Sequence, residues 1–165
     1  MEELIRKLNF LLANLQVQRA NIQAAHWNIR GCHSFIPLHT YFGELYDCNS
    51  AHIDAIAEFI RINKGDPFIT FSRYLRRATI QEVVETETTD IDSALRKMFN
   101  DNTFILSQSK EIFDMTDKQA IDVGDYMATM VADYGKRQWF LSSSIKSSLR
   151  KEETPSEESL EEDED

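Results

Sequence analysis

Residues 2–31 read EELIRKLNFLLANLQVQRANIQAAHWNIRG, and the periodicity of this stretch carries the first structural inference. Leu4, Leu8, Leu11, Leu12, Leu15, Ile22 and Ala25 recur mostly at steps of three, four and seven residues. Those steps return side chains to one side of a helix, whereas a strand would need alternation. No proline or glycine interrupts the run before Gly31. The segment therefore reads as a long amphipathic helix, with Gly31 expected to end it as a C-terminal glycine does. A single long stripe of this kind is stable only when other helices cover it.

The same period continues downstream. After the connection CHSFIP, a second helical pattern spans about residues 37–63, through Leu38, Phe42, Leu45, Tyr46, Ile53, Ile56, Ala57 and Ile60. It stops at Asn63-Lys64-Gly65-Asp66-Pro67, a strong breaker. Residues 66–88 form a long crossover with a short helix expected at Ser72–Arg77. Thr88-Thr89-Asp90 then offers N-cap chemistry to a third helix running to about Phe113. Met115-Thr116-Asp117 breaks it, and a fourth helix is expected over about 118–149. Two helical pairs joined by one long connection define an all-α, ferritin-like four-helix bundle rather than a simple up-down-up-down one.

Composition agrees. The chain has 165 residues with only five glycines and three prolines, too few tight-turn residues for a sandwich or barrel. Residues 1–150 read as one domain. Residues 151–165, KEETPSEESLEEDED, carry nine acids and one lysine, most of the net charge of −10. This acidic tail is expected to be disordered, either as a solubilising segment or as a docking signal for a basic partner. It would repel nucleic acid. Cys32 and Cys48 form no CxxC pattern, so a reducing, cytoplasmic setting is expected, with both cysteines and His33 in structural roles. No apolar run approaches a membrane span, and the acidic start MEELIRK is not the pattern of a signal peptide.

The chemistry-bearing candidates are His26, His39, Asp54 and Glu58. Asp54 and Glu58 are four apart and so share a helical face amid apolar neighbours. Such a pair is either solvated or coordinates a cation. His39 and Asp54 are fifteen residues apart on the same helix, roughly 22 Å at about 1.5 Å per residue. One ion cannot bridge that span, because ligand bonds are about 2 Å. The pattern leaves two readings: no metal site, or one shared across a two-fold axis by two copies of the chain.

His26-Trp27-Asn28-Ile29-Arg30-Gly31, Leu38-His39, Tyr46-Asp47, His52-Ile53-Asp54 to Glu58, Gly65-Asp66-Pro67-Phe68, Tyr74-Leu75, Ala78 to Glu82 and Lys136 to Leu141 together resemble the signature of the Dps family of mini-ferritins. The resemblance spans about residues 5–147. It implies a hollow homo-dodecamer built from two-fold dimers, which oxidises Fe(II) with hydrogen peroxide and stores ferric iron, protecting against oxidative damage. It implies a two-iron ferroxidase centre between subunits, with His26 and His39 from one and Asp54 and Glu58 from its partner, and Trp27 beside it. An iron-entry pore would involve Asp122 and Asp125. The plain alternative for those acids is complementing a helix dipole.

Two departures from the family pattern are visible. The family's acid four residues after the second histidine is Gly43 here, and one extra residue separates His26 from His39. The resemblance then implies an intact position from His26, Asp54 and Glu58 and a weakened second one at His39. It also leaves open a degenerate shell with impaired oxidation and a structural or interaction role. DNA binding is not expected, since the family's Lys-rich terminal extension is replaced by an acidic tail.

Overall fold

The computed structural model describes residues 1–31, 35–84, 90–116 and 120–145; Cys32, His33 and the acidic tail lie outside them. Five helices follow one another: α1 Glu2–Asn28, α2 Phe35–Ile62, α3 Phe71–Arg77, α4 Ile91–Met115 and α5 Ile121–Ser144. Among the described residues there is no strand and no helix long and apolar enough to cross a membrane. The expected pairs form: α1 packs along α2 and α4 along α5, with α3 in the crossover lying against α1.

Two helix ends differ from the sequence expectation: α5 stops at Ser144, with Ile145 already extended at ψ 126°, rather than at about 149, and α1 stops before Gly31. α1 stops at Asn28, with Ile29 already extended at ψ 141°. Gly31 has no positive φ, so it does not serve as a left-handed cap. Its lack of a side chain instead admits the start of α4: a Cβ there would lie 2.6 Å from Ile91 Cδ1. At the end of α2 the left-handed residue is Lys64, φ 63°, not the neighbouring Gly65. Gly65 N–H donates to Ile60 O at 2.8 Å and Lys64 N–H to Arg61 O at 2.9 Å, the paired bonds of a Schellman ending. Gly65 is required one step later, because a Cβ would sit 2.7 Å from Ile5 Cγ2. α4 begins as expected at the Asp90 cap, whose side chain accepts from Ser93 N–H at 2.8 Å.

The apolar interior is in two parts. One contains Leu8, Leu11, Leu12 and Leu15 with Ile56, Ile60, Ile105, Ile112 and Met127; the other contains Ile22, Ala25, Phe42, Leu45, Leu95, Met98 and Leu141. Between them runs a belt of polar groups, hydrogen-bonded except at Asn49 Oδ1, which is buried without a partner. Gln18 Oε1 accepts from Tyr134 OH at 2.9 Å and from Asn49 Nδ2 at 3.1 Å. Asn102 Nδ2 donates to Tyr134 O and Gln138 Oε1. Asp101 pairs with Lys97 and accepts from Asn21; burial pushes its carboxyl upward, against the opposing pull of Lys97 and Asn21.

The crossover is fastened by three buried asparagines of α1. Asn9 Oδ1 accepts from Phe68 N–H, Asn14 Oδ1 from both Thr79 and Ile80 N–H, and Asn21 Oδ1 from Val83 N–H, all at 2.8–2.9 Å. Asn9 and Asn21 also donate back to crossover carbonyls, Asp66 O and Gln81 O. An extended segment has no ladder of its own, so its buried N–H groups need such partners. The asparagines supply them at intervals along one helix.

Candidate metal centre

His26 occupies the last turn of α1, and His39 the second turn of α2. The two rings lie one on the other. Their centroids are 3.9 Å apart and their planes 17° from parallel. Each ring also binds the other's backbone: His26 Nδ1 lies 2.7 Å from His39 O, and His39 Nδ1 lies 2.8 Å from His26 O. A carbonyl can only accept, so both Nδ1 atoms carry hydrogen. In a neutral ring with hydrogen on Nδ1 the lone pair is on Nε2, the tautomer a metal-binding histidine needs. The arrangement has a local cause. The carbonyls in the last turn of a helix lack intrahelical partners, and His39 takes up that of His26.

Gly43 lies under the His26 ring. A Cβ at this position would be 3.2 Å from His26 Cε1 and 3.6 Å from His26 Nδ1. The residue that removes an expected acid therefore also gives the imidazole its space. Glu44 and Asp47, the nearest acids in sequence, are exposed.

Asp54 and Glu58 are on the second half of α2, both exposed. Because α2 is continuous from Phe35 to Ile62, the roughly 22 Å separation from His39 stands. The structure brings His26 and His39 together, but within one chain it does not bring Asp54 or Glu58 to them. Glu58 instead lines an open groove with Ala57, Arg61, Ile62 and Pro67. Trp27, next to the histidine pair, is 67% exposed, an unusual position for a tryptophan in an isolated bundle. Asp122 and Asp125 are exposed in the first turns of α5.

A second polar cluster was not foreseen from the sequence. Cys48, His52, Asp133 and Arg137 meet between α2 and α5, His52 and Arg137 being buried. Cys48 is thus not a small apolar filler. Burial pushes its thiol upward. Burial would also raise Asp133, but the bond from His52 and the Arg137 charge outweigh it and hold that carboxyl far below its usual range. The sequence signal was the i, i+4 spacing of Cys48 with His52 and of Asp133 with Arg137, which is indistinguishable in sequence from ordinary helix-face pairs.

The helix plan, the single long crossover and the histidine pair define a ferritin-like protein, and the family model described as "Ferritin-like domain" matches residues 5–148. A DNA protection during starvation protein of Porphyromonas gingivalis is 32% identical over 140 residues, 84% of this chain and 86% of the relative. That of Listeria innocua is 28% identical over 137 residues, 82% and 87%. The crystal structure of a Dps protein from Vibrio cholerae O1, a member of a broad superfamily of ferritin-like diiron-carboxylate proteins, superposes with a TM-score of 0.81. It is 30% identical and covers 86% of this chain and 88% of that one. The chain belongs to the Dps family of mini-ferritins.

Proposed function

We propose that the chain is the subunit of a hollow dodecamer that takes up Fe(II), oxidises it with hydrogen peroxide and stores the ferric product. The observation that carries this reading is the histidine pair. Two imidazoles with Nδ1 committed to backbone carbonyls and Nε2 free form one half of a ligand set for a borderline metal. The other half, Asp54 and Glu58, supplies hard oxygen donors about 22 Å and about 28 Å along α2 from His39, where an antiparallel copy of the same helix would deliver them to the partner's histidines. Exposed apolar residues near both ends of α2, Trp27, Ile36 and Ile62, are surface that such a partner would cover.

In the reaction, each of two ferrous ions gives one electron to peroxide. The O–O bond breaks, and the oxygens leave as two waters after taking up two protons. His26, Asp54 and Glu58 would hold the first ferrous ion, and His39 a weaker second one. Trp27 stands beside the pair, where it could intercept oxidising radicals. Asp122 and Asp125 would concentrate cations at an entry pore by focusing negative potential. DNA binding is not part of the proposal, and the acidic tail is left as a solubilising segment or a site for a basic partner. A cytoplasmic setting suits this chemistry.

Gly43 supports a second reading, in which the shell is retained but its oxidation is impaired and its role is structural. The deciding experiment is Fe(II) followed by peroxide on the assembly, with iron counted in the size-excluded protein peak. Mineral growth in the wild type, and its loss together with the ferric absorbance change in Asp54→Ala/Glu58→Ala, is the expected result. Stoichiometric iron without mineral would favour the structural reading, and kinetics unchanged by the double substitution would remove these residues from the centre.

A further inference from the structure

The cluster between α2 and α5 has no part in the iron chemistry above, and its geometry is specific. Cys48 Sγ lies 3.8 Å from His52 Nε2 and 3.4 Å from Asp133 Oδ2, and His52 Nε2 lies 3.1 Å from Asp133 Oδ2. Three donors of these kinds bound tetrahedrally to one ion at ~2.0–2.3 Å stand roughly 3.4–3.6 Å from each other. The three observed separations bracket that range. We propose that Cys48, His52 and Asp133 form a site for a thiophilic divalent cation such as Zn(II), with a fourth position open, and that Arg137 occupies the place of the cation when none is bound.

Three features support this. First, the ligands sit on rigid supports: Cys48 and His52 are one turn apart on α2, and Asp133 is on α5 facing them. Second, the Arg137 guanidinium already acts as a cation between the two acidic ligands. Its Nη2 donates to both Cys48 Sγ and Asp133 Oδ2, and it is braced 4.5 Å over the Tyr134 ring. A buried positive charge bridging a thiol and a carboxylate marks a place that favours positive charge. Third, the second partner of His52 accepts either tautomer. His52 Nδ1 lies 2.9 Å from Tyr126 OH, and a phenol both donates and accepts. Without metal, His52 Nε2–H donates to Asp133 and Nδ1 accepts from Tyr126. With metal, Nε2 ligates and Nδ1–H donates to Tyr126, which fixes the ring as metal-bound histidines require.

The balance is simple. The thiol proton of Cys48 leaves to solvent, the histidine proton moves from Nε2 to Nδ1, and Arg137 gives up Sγ. Asp133, whose side chain is one-third exposed, is the route in. Cation and guanidinium compete for the same two ligands, so binding is weakened by Arg137.

Cobalt(II) is the probe, because a thiolate ligand gives a ligand-to-metal charge-transfer band that histidine and carboxylate ligands do not. The assembly carrying Cys32→Ser is titrated without oxygen. One band saturating at one cobalt per chain is expected, with release of one proton. It should vanish in Cys48→Ser, weaken at least tenfold in Asp133→Asn, and persist in Asp54→Ala/Glu58→Ala. Arg137→Met, which keeps the packed stem, should tighten binding about tenfold, the equivalent of one charged hydrogen bond. Absence of the band in Cys32→Ser, its survival in Cys48→Ser, or an affinity indifferent to both Asp133→Asn and Arg137→Met would overturn the proposal.

Discussion

Gly43 has two consequences that pull in opposite directions. On the proposed function it leaves the second iron position without a carboxylate beside His39, and it leaves the His26 ring close to the helix backbone of α2. Restoring the acid by Gly43→Asp would bring a Cβ to 3.2 Å from His26 Cε1, tighter than ordinary van der Waals contact. The ring must then shift by a few tenths of an ångström and strain its bond to His39 O, at a cost of about 1 kcal/mol. The same substitution adds an oxygen ligand within reach of His39. An anaerobic Fe(II) titration should therefore show one more tight ion per chain than wild type, with the first ion bound several-fold more weakly. An unchanged stoichiometry would mean that Gly43 is not what limits the second position. At this scale the sequence was partly legible. His26, His39, Asp54 and Glu58 stand out because ligand-type side chains interrupt apolar surroundings. Asp133 and Arg137 did not, because charged residues one turn apart look the same whether they face water or a buried thiol.

At the scale of elements, periodicity located the four long helices of the described residues, because each carries an apolar stripe long enough to dominate chance; the seven-residue α3 is too short for one. α3 was expected from Ser72 and is found from Phe71. The sequence did not reveal how the crossover is held. Asn9, Asn14 and Asn21 read as gaps in the apolar pattern of α1, yet all three are buried and face inward. A pattern of hydrophobicity cannot tell a solvated asparagine from one whose partners are backbone groups distant in sequence. Asn14 gives the sharpest test, since its Oδ1 accepts two N–H groups and its Nδ2 donates to Phe10 O at 2.9 Å. Asn14→Leu preserves approximate volume but leaves the Thr79 and Ile80 N–H groups without partners. At ~1–3 kcal/mol for each orphaned group, the loss should be about 3 kcal/mol. Urea unfolding would record it as a lower midpoint, and protease cleavage should appear first in the crossover. A loss below about 1 kcal/mol would mean that water replaces the asparagine without difficulty.

For the whole molecule, the decisive property of α2 is its length without a break. A helix that carries His39 at one end and Asp54 and Glu58 near the other cannot close a centre on itself, so on the proposed function activity is a property of pairs of chains. This separates it from any bundle whose site lies among its own four helices, and it gives a test that no single-chain site could pass. Let one variant carry His26→Ala and His39→Ala, and another Asp54→Ala and Glu58→Ala. Each assembled alone should be inactive. In a two-fold dimer containing one of each, one centre has lost all its ligands and the other has recovered all of them. Random co-assembly of equal amounts makes about half of the dimers mixed, so about a quarter of all centres should be intact. Unfolding and reassembling the two variants together, then measuring Fe(II) oxidation with peroxide, should recover about a quarter of wild-type activity, while mixing the already assembled shells should recover none. Equal inactivity in both mixtures would show that His26 and His39 of one chain and Asp54 and Glu58 of another do not meet. The role of α2 would then have to be sought in its packing rather than in its ligands.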